Sequence, residues 1–180
     1  MSREIVDLRQ YRQPIQTFLP TALEGFSRCH SAVQVSCAAL FVFPYDSAAT
    51  ICFDTESSSD TFVAKWAPKG DQYYGEDEYG RFKNNPPDFE YVNFSVLTFE
   101  TFPKLYDGPD TLSFVDSDGK ITNVDRVKEG DEGINRAMFP SLCRFVRDID
   151  SWSSLSRAKV FRAGVVMRDS DCITFWRVPD

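Results

Sequence analysis

Apolar side chains recur along this chain with two different spacings. Between Ile15 and Phe26 they repeat every three or four residues, which is the spacing of one face of an amphipathic helix. The same spacing returns from Ile134 to Trp152 and predicts a second, longer helix. Pro20 and Pro140 interrupt these two patterns, so we expect a kink or restart at the first and a bend at the second.

Denser apolar runs predict β-strands. Val33–Phe43 is almost entirely apolar, as in a strand that is covered on both faces. The turn residues Pro44–Ser47 follow, and Thr50–Phe53 is a second short run. The stretch Ala38–Glu56 therefore predicts a β-hairpin at the centre of the fold.

Two later stretches also predict hairpins. Thr111–Val127 has apolar positions on both sides of Asp118-Gly119, a favoured two-residue turn. Val160–Met167 and Cys172–Val178 are rich in β-forming residues and are separated by a short polar segment. We expect them to form the last hairpin of the chain.

The middle of the chain is less regular. Glu56–Asp60 offers N-cap candidates for a short helix over Thr61–Trp66. Asp71–Pro87 contains glycines, prolines, tyrosines and acids, which predicts a long exposed loop. Phe94–Tyr106 fits either a strand or a helix, and its apolar spacing favours a helix that begins near Asn93.

These elements predict an α+β fold. A mixed or antiparallel sheet of about five to six strands would be flanked by an N-terminal helix and a long late helix. The chain has 180 residues and no segment with the composition of a linker. We therefore expect residues 1–180 to form a single globular domain.

The charge of the chain restricts its partners. The formal net charge is −7 and the sequence pI is about 4.8. Nucleic acids and anionic lipids are bound through basic surfaces, so neither is an expected partner. No secretory leader and no run of membrane-spanning length is visible, and the odd number of widely spaced cysteines favours free thiols. These features predict a cytoplasmic protein that attracts a basic partner.

The sequence predicts no catalytic residues, cofactor or metal site. His30 is the one histidine, and its neighbour Cys29 cannot easily face it, so a surface or C-cap histidine is the preferred interpretation. Asp116–Gly119 resembles the start of a calcium loop, but the later ligand positions do not match and a hairpin turn explains it better. A hydrolase that uses carboxylates from separate loops remains an alternative.

An acidic, tyrosine-rich segment is the best candidate for a binding surface. Tyrosine gives a large contact area at low entropic cost, and neighbouring carboxylates speed the encounter with a basic protein. The alternative is a solvated loop whose tyrosines pack back on the domain. The predicted partner-binding residues are Asp71, Tyr73, Tyr74, Glu76, Asp77, Glu78 and Tyr79.

Several short motifs follow one another along the chain in a recognisable order. They are Leu40–Asp46, Asp54-Thr55-Glu56, Trp66 with Pro68, Tyr73–Tyr79, the late helix Ile134–Trp152 and Arg168-Asp169-Ser170-Asp171. In this order they resemble a family of uncharacterised bacterial domains associated with polymorphic-toxin immunity proteins. The second tryptophan that often follows the Trp-x-Pro motif is absent here, and Tyr73 or Tyr74 stands nearest to its place.

The resemblance implies an immunity protein of bacterial competition systems. Such an antitoxin is a non-enzymatic, cytoplasmic toxin inhibitor that binds a cognate toxin and covers its active site or substrate surface. A small carboxylate-dependent hydrolase and a non-catalytic subunit of a larger assembly are the alternative functions.

Overall fold

The computed structural model describes residues 4–70, 74–99 and 105–179, and its architecture is the predicted α+β class. The helices are α1 (Arg12–Cys29), α2 (Glu56–Trp66) and α3 (Arg126–Arg147). The strands are β1 (Glu4–Asp7), β2 (Val35–Phe43), β3 (Ala48–Asp54), β4 (Tyr74–Asp77), β5 (Gly80–Lys83), β6 (Tyr91–Thr98), β7 (Thr111–Val115), β8 (Ile121–Asp125), β9 (Arg157–Met167) and β10 (Ile173–Arg177).

A five-stranded mixed sheet in the order β10-β9-β2-β3-β6 forms the centre of the structure. The predicted central hairpin is confirmed, since β2 and β3 pair antiparallel with Phe41 opposite Thr50. On its other side β2 pairs parallel with β9, so it is the middle strand. The dense apolar run of β2 follows from this position, because both of its faces are buried.

Side chains of the sheet alternate between two faces. Leu40, Ile51 and Val165 are aligned across three strands and face α1 and α3, and we call this the helix face. Phe41 and Val166 point to the opposite side. There the small β4–β5 hairpin packs on the sheet, and we call this side the hairpin face.

Helix α1 confirms the predicted amphipathic element. Its buried residues are Ile15, Leu19, Ala22, Leu23 and Phe26. The helix continues without interruption through Pro20, so the expected restart is wrong. Proline removes one backbone hydrogen bond from the helix, and burial of the apolar face on both sides of it compensates for that loss.

The late helix begins and ends at other residues than expected. It starts at Arg126 and ends at Arg147, so Trp152 lies beyond it in a 3₁₀ turn over Ser151–Ser154. Pro140 lies inside the helix, while the kink occurs at Gly130, whose φ is 62°. A positive φ is accessible to glycine at no steric cost, so the chain can leave the helical path at Gly130.

The predicted helix near Asn93 is wrong, because residues 91–98 form strand β6 at the edge of the sheet. Asn93 has a φ of 52°, and the pairing of β3 with β6 shifts register between Ile51 and Phe53. This bulge places Phe94 and Leu97 on the same side, against the core. Residues 100–104 of the predicted element lie outside the described residues, and Leu105 and Tyr106 at its end are helical.

The other two predicted hairpins are present, but the connection between β7 and β8 spans residues 116–120, so the predicted two-residue turn at Asp118-Gly119 is wrong. β7 and β8 pair antiparallel around Gly119, whose φ of 78° suits the turn, and β1 extends them to a three-stranded sheet. Within that turn Asp116 Oδ1 accepts the backbone N–H groups of Asp118 and Lys120, so these residues form a turn. β9 and β10 form the last hairpin.

Candidate functional site

The segment predicted as a long exposed loop is partly a β-hairpin. β4 and β5 pair antiparallel with Glu76 opposite Arg81, and Glu78-Tyr79 forms the turn. Gly80 follows with a φ of 117°, a conformation that favours glycine. The Tyr79 backbone N–H donates to Asp77 Oδ1 over 2.8 Å, which fixes the turn. We call residues 74–83 the acidic hairpin.

Asp77 attaches the acidic hairpin to the sheet. Arg162 on β9 donates two hydrogen bonds to its carboxylate, over 2.6 Å from Nε and 2.7 Å from Nη2. The Arg162 side chain is only 7% exposed, and its guanidinium also lies 4.4 Å from the centre of the Phe82 ring. The hydrogen-bonded guanidinium lowers the pKa of Asp77. This predicted partner residue therefore contributes to an internal contact.

Phe82 is the apolar anchor of the same hairpin. It is buried, and its ring meets that of Phe175 edge-on at 5.3 Å. Its ring also occupies the space beside Gly75, where a Cβ atom would lie 2.6 Å away. The ion pair and the ring contacts together hold the hairpin in one position on the sheet.

The remaining predicted residues of the hairpin lie at its surface. Glu76 and Glu78 are exposed, and Glu76 pairs loosely with Arg81 at 3.4 Å. Tyr79 is 45% exposed, and its hydroxyl oxygen accepts a 2.8 Å hydrogen bond from Arg177. Tyr74 is half-buried beneath the Arg81 guanidinium. The other two predicted residues, Asp71 and Tyr73, lie outside the described residues.

A second polar cluster, which sequence reasoning missed, lies under α2. Lys83 Nζ donates to Asp54 Oδ1 over 3.3 Å, to Ser58 Oγ over 2.5 Å and to the Asp88 carbonyl over 2.5 Å. Asp54 is completely buried and also accepts from the Ser59 hydroxyl. The sequence signal was an acid at the end of a strand whose other residues are nearly all apolar.

This cluster borders a cavity of about 620 Å³ and brings a serine close to a lysine. Such a pair catalyses acyl transfer only if the amine can take the proton of the hydroxyl. Lys83 Nζ is shared among three acceptors, of which the Ser58 hydroxyl oxygen is one. The arrangement ties β3, α2 and β5 together.

Three carboxylates have pKa values below their usual range, which favours their charged form. Hydrogen bonds from Arg9 lower the pKa of Asp7, and those from Lys128 lower the pKa of Asp125. Asp77 shifts in the same direction. A general acid at neutral pH needs the opposite shift, so none of these three groups is suited to be the general acid of a hydrolase.

His30 forms the C-cap of α1, as the preferred interpretation expected. Its ring packs 4.6 Å from Phe26 and 4.8 Å from Tyr91. In the described ranges, no three His, Cys, Asp or Glu side chains are grouped so that they could hold a metal ion. No helix within those ranges is long and apolar enough to cross a membrane.

Comparisons of the chain with protein-family models, with curated proteins and with solved structures found no match. The resemblance to the toxin-associated family therefore stays a prediction.

Proposed function

We propose that the protein is an immunity protein, which binds a cognate bacterial toxin and covers its active site or substrate surface. The observation that supports this proposal is the acidic hairpin. It presents Glu76, Glu78 and Tyr79 at the surface, while Asp77 and Phe82 hold it on the sheet.

A fixed hairpin is a favourable binding element because its backbone is ordered before the partner arrives. Ordering a loop on binding reduces affinity, and a preorganised surface avoids this loss. The hairpin also combines an exposed tyrosine with carboxylates, as the centre and rim of many interfaces do.

The charge of the hairpin indicates the chemistry of the partner. Two exposed carboxylates, on a chain with a net charge of −7, would attract a basic surface and accelerate its association. Toxins that act on nucleic acids or nucleotides need basic clefts to hold phosphate groups. An acidic inhibitor complements such a cleft.

The test is a charge reversal that leaves the internal contacts intact. Glu76→Lys and Glu78→Lys are combined, and Asp77 is kept because it holds the hairpin. A matched control reverses two exposed acids on other elements, Glu24→Lys and Asp107→Lys, which gives the same change in net charge.

A secreted toxin encoded beside the gene of this protein is the partner to use. We expect the hairpin variant to bind it at least about tenfold more weakly, or ~1.4 kcal/mol, with a weaker salt dependence. The control variant should bind within about twofold of the parent protein. Equal loss in both variants would exclude the hairpin as the contact surface, and no rescue of growth on co-expression would exclude the immunity function.

A further inference from the structure

Arg177, the last residue of β10, holds the exposed tyrosine of the acidic hairpin. Its guanidinium lies 4.7 Å from the centre of the Tyr79 ring, and its Nη1 atom donates a 2.8 Å hydrogen bond to the Tyr79 hydroxyl oxygen. Tyr79 is nevertheless 45% exposed. The two residues lie 98 positions apart, so this contact joins the turn of the hairpin to an edge strand of the central sheet.

A second arginine fixes the backbone under this ring. The Tyr79 backbone N–H donates to Asp77, and the Asp77 carboxylate accepts from Arg162 on β9. Arg162 and Arg177 are directly opposite each other on β9 and β10, so their side chains leave the sheet on the same side. One arginine therefore fixes the turn, and its cross-strand neighbour orients the ring that the turn carries.

The contacts of Arg177 serve the tyrosine more than the stability of the sheet. Among the described residues, Arg162 pairs with a carboxylate, whereas Arg177 is exposed and both contacts of its guanidinium are with Tyr79. Holding a long side chain in one rotamer costs conformational entropy, and an exposed contact returns little stability. What this contact achieves is a single orientation of an exposed aromatic ring.

The same hydrogen bond determines which part of the Tyr79 hydroxyl is available to another molecule. A phenol hydroxyl can both accept and donate a hydrogen bond, and here its oxygen accepts from Arg177. A guanidinium has no acceptor atom, so the hydroxyl hydrogen is not used in this contact. An oxygen atom of a bound partner can therefore accept it.

We propose that Arg177 is a positioning residue of the partner-binding surface. It orients Tyr79 so that the ring enters a cleft of the toxin and the hydroxyl donates to an oxygen acceptor there. This inference rests on the proposed function, since it takes the toxin to be the partner. Tyrosine is enriched among the residues that dominate binding energy, and a side chain that is oriented before binding loses less entropy in the complex.

The contact itself is measured without the toxin, by NMR of ¹⁵N-labelled protein. The ring current of Tyr79 should displace the Nε–H resonance of Arg177. Tyr79→Leu should remove this displacement, because it removes the ring, while Arg81→Gln on the same hairpin should leave it in place. An Arg177 resonance that is unchanged in Tyr79→Leu would show that the two side chains do not touch, and the proposal would be wrong.

The toxin used for the charge reversal then shows whether the contact serves binding. Arg177→Gln should weaken binding by about tenfold. The matched control is Arg81→Gln, which removes the same charge from the hairpin. Both variants make the chain more negative, so general attraction to a basic toxin alone would strengthen binding in both. The control should therefore bind as tightly as the parent protein or slightly more tightly, and equal behaviour of the two variants would overturn the proposal.

A double-variant cycle tests whether Arg177 acts through the tyrosine. Tyr79→Phe removes the hydroxyl and should weaken binding by about fivefold. Adding it to Arg177→Gln should cost less than about twofold more, because the orientation of the hydroxyl is already lost. Fully additive losses would show that Arg177 does not act through Tyr79 and would refute the positioning role.

Two further outcomes separate the possible failures. The urea midpoint of Arg177→Gln should equal that of the parent protein, and a drop that parallels the loss of affinity would assign Arg177 to the fold instead of the surface. If the parent protein does not bind the toxin, the immunity function and this inference are both wrong. If the parent binds and Arg177→Gln binds equally well, only the positioning role is wrong.

Discussion

The ion pair between Arg162 and Asp77 leads to an asymmetric prediction for stability. The Arg162 side chain is 7% exposed, whereas that of Asp77 is 33% exposed. Asp77→Ala leaves a buried guanidinium without its carboxylate, and such a loss costs about 3–5 kcal/mol. Arg162→Met leaves a carboxylate that water can reach and keeps an unbranched chain over Phe82, so it should cost roughly 1–2 kcal/mol.

Urea unfolding followed by tryptophan fluorescence measures both losses, and the double variant gives the coupling between the two residues. Hydrogen exchange adds a local measurement. The backbone N–H of Lys83, at the end of β5, should exchange faster in Asp77→Ala even where the central sheet remains protected. If Arg162→Met destabilises the protein as much as Asp77→Ala does, the difference in burial does not control the energy of this pair.

The same contact predicts a dependence on pH. The pKa of Asp77 in the folded protein lies below its usual value of 3.8, because of the hydrogen bonds from Arg162. Its contribution to stability is therefore complete above pH 3.8 and is lost as the pH falls through the lower, folded value. The stability difference between the parent protein and Asp77→Asn should be constant near neutral pH and shrink below pH 3.8. A difference that grows on acidification would contradict this sign.

Three further predictions follow from buried groups. Lys83→Met leaves the Asp54 carboxylate buried without its cation, and it should lower the free energy of unfolding in urea by about 3–5 kcal/mol. A decrease below about 1 kcal/mol would show that the stability of the fold does not depend on this ion pair. Gly164→Ala places a Cβ atom 2.4 Å from the Phe175 ring and 2.8 Å from a backbone oxygen. The free energy of unfolding should therefore decrease by about 1–3 kcal/mol, and the melting temperature should fall with it. An unchanged melting temperature would contradict that contact. At pH 8 a thiol reagent should label exposed Cys29 rapidly and the other four cysteines only on unfolding, because burial raises their pKa values; rapid labelling of several thiols in the folded protein would contradict their burial. The protected residues are Cys37, Cys52, Cys143 and Cys172.

The strands and helices with strong patterns were predictable from the sequence. The central hairpin, α1 and the last hairpin all have long apolar runs or a complete helical face, and both signals come directly from burial. β6 was not predictable, because the left-handed Asn93 shifts the alternation of the strand. Phe94 and Leu97 then face the same side at a separation of three residues, which imitates a helix.

The candidate site was predictable only in part. The tyrosines and acids of the hairpin were visible in the sequence, but the hairpin itself was not, since its strands are four residues long and mainly polar. The role of Asp77 depends on Arg162, which lies far along the chain on another strand. No local pattern distinguishes a carboxylate that binds such a distant cation from one that is free to meet a partner.

The parallel pairing of β2 with β9 has a consequence for the synthesis of this protein. Val35 pairs with Arg157 and Val42 with Met167, so the middle strand of the sheet finds its second neighbour only near the end of the chain. During translation the β2 edge of the β2–β3 hairpin stays unpaired until β9 has been synthesised. Forming a contact between residues so far apart in sequence is also slow. A nascent chain that stops before β9 would expose this edge to other copies. Truncated products should therefore aggregate or require chaperones, whereas the complete chain closes its own sheet.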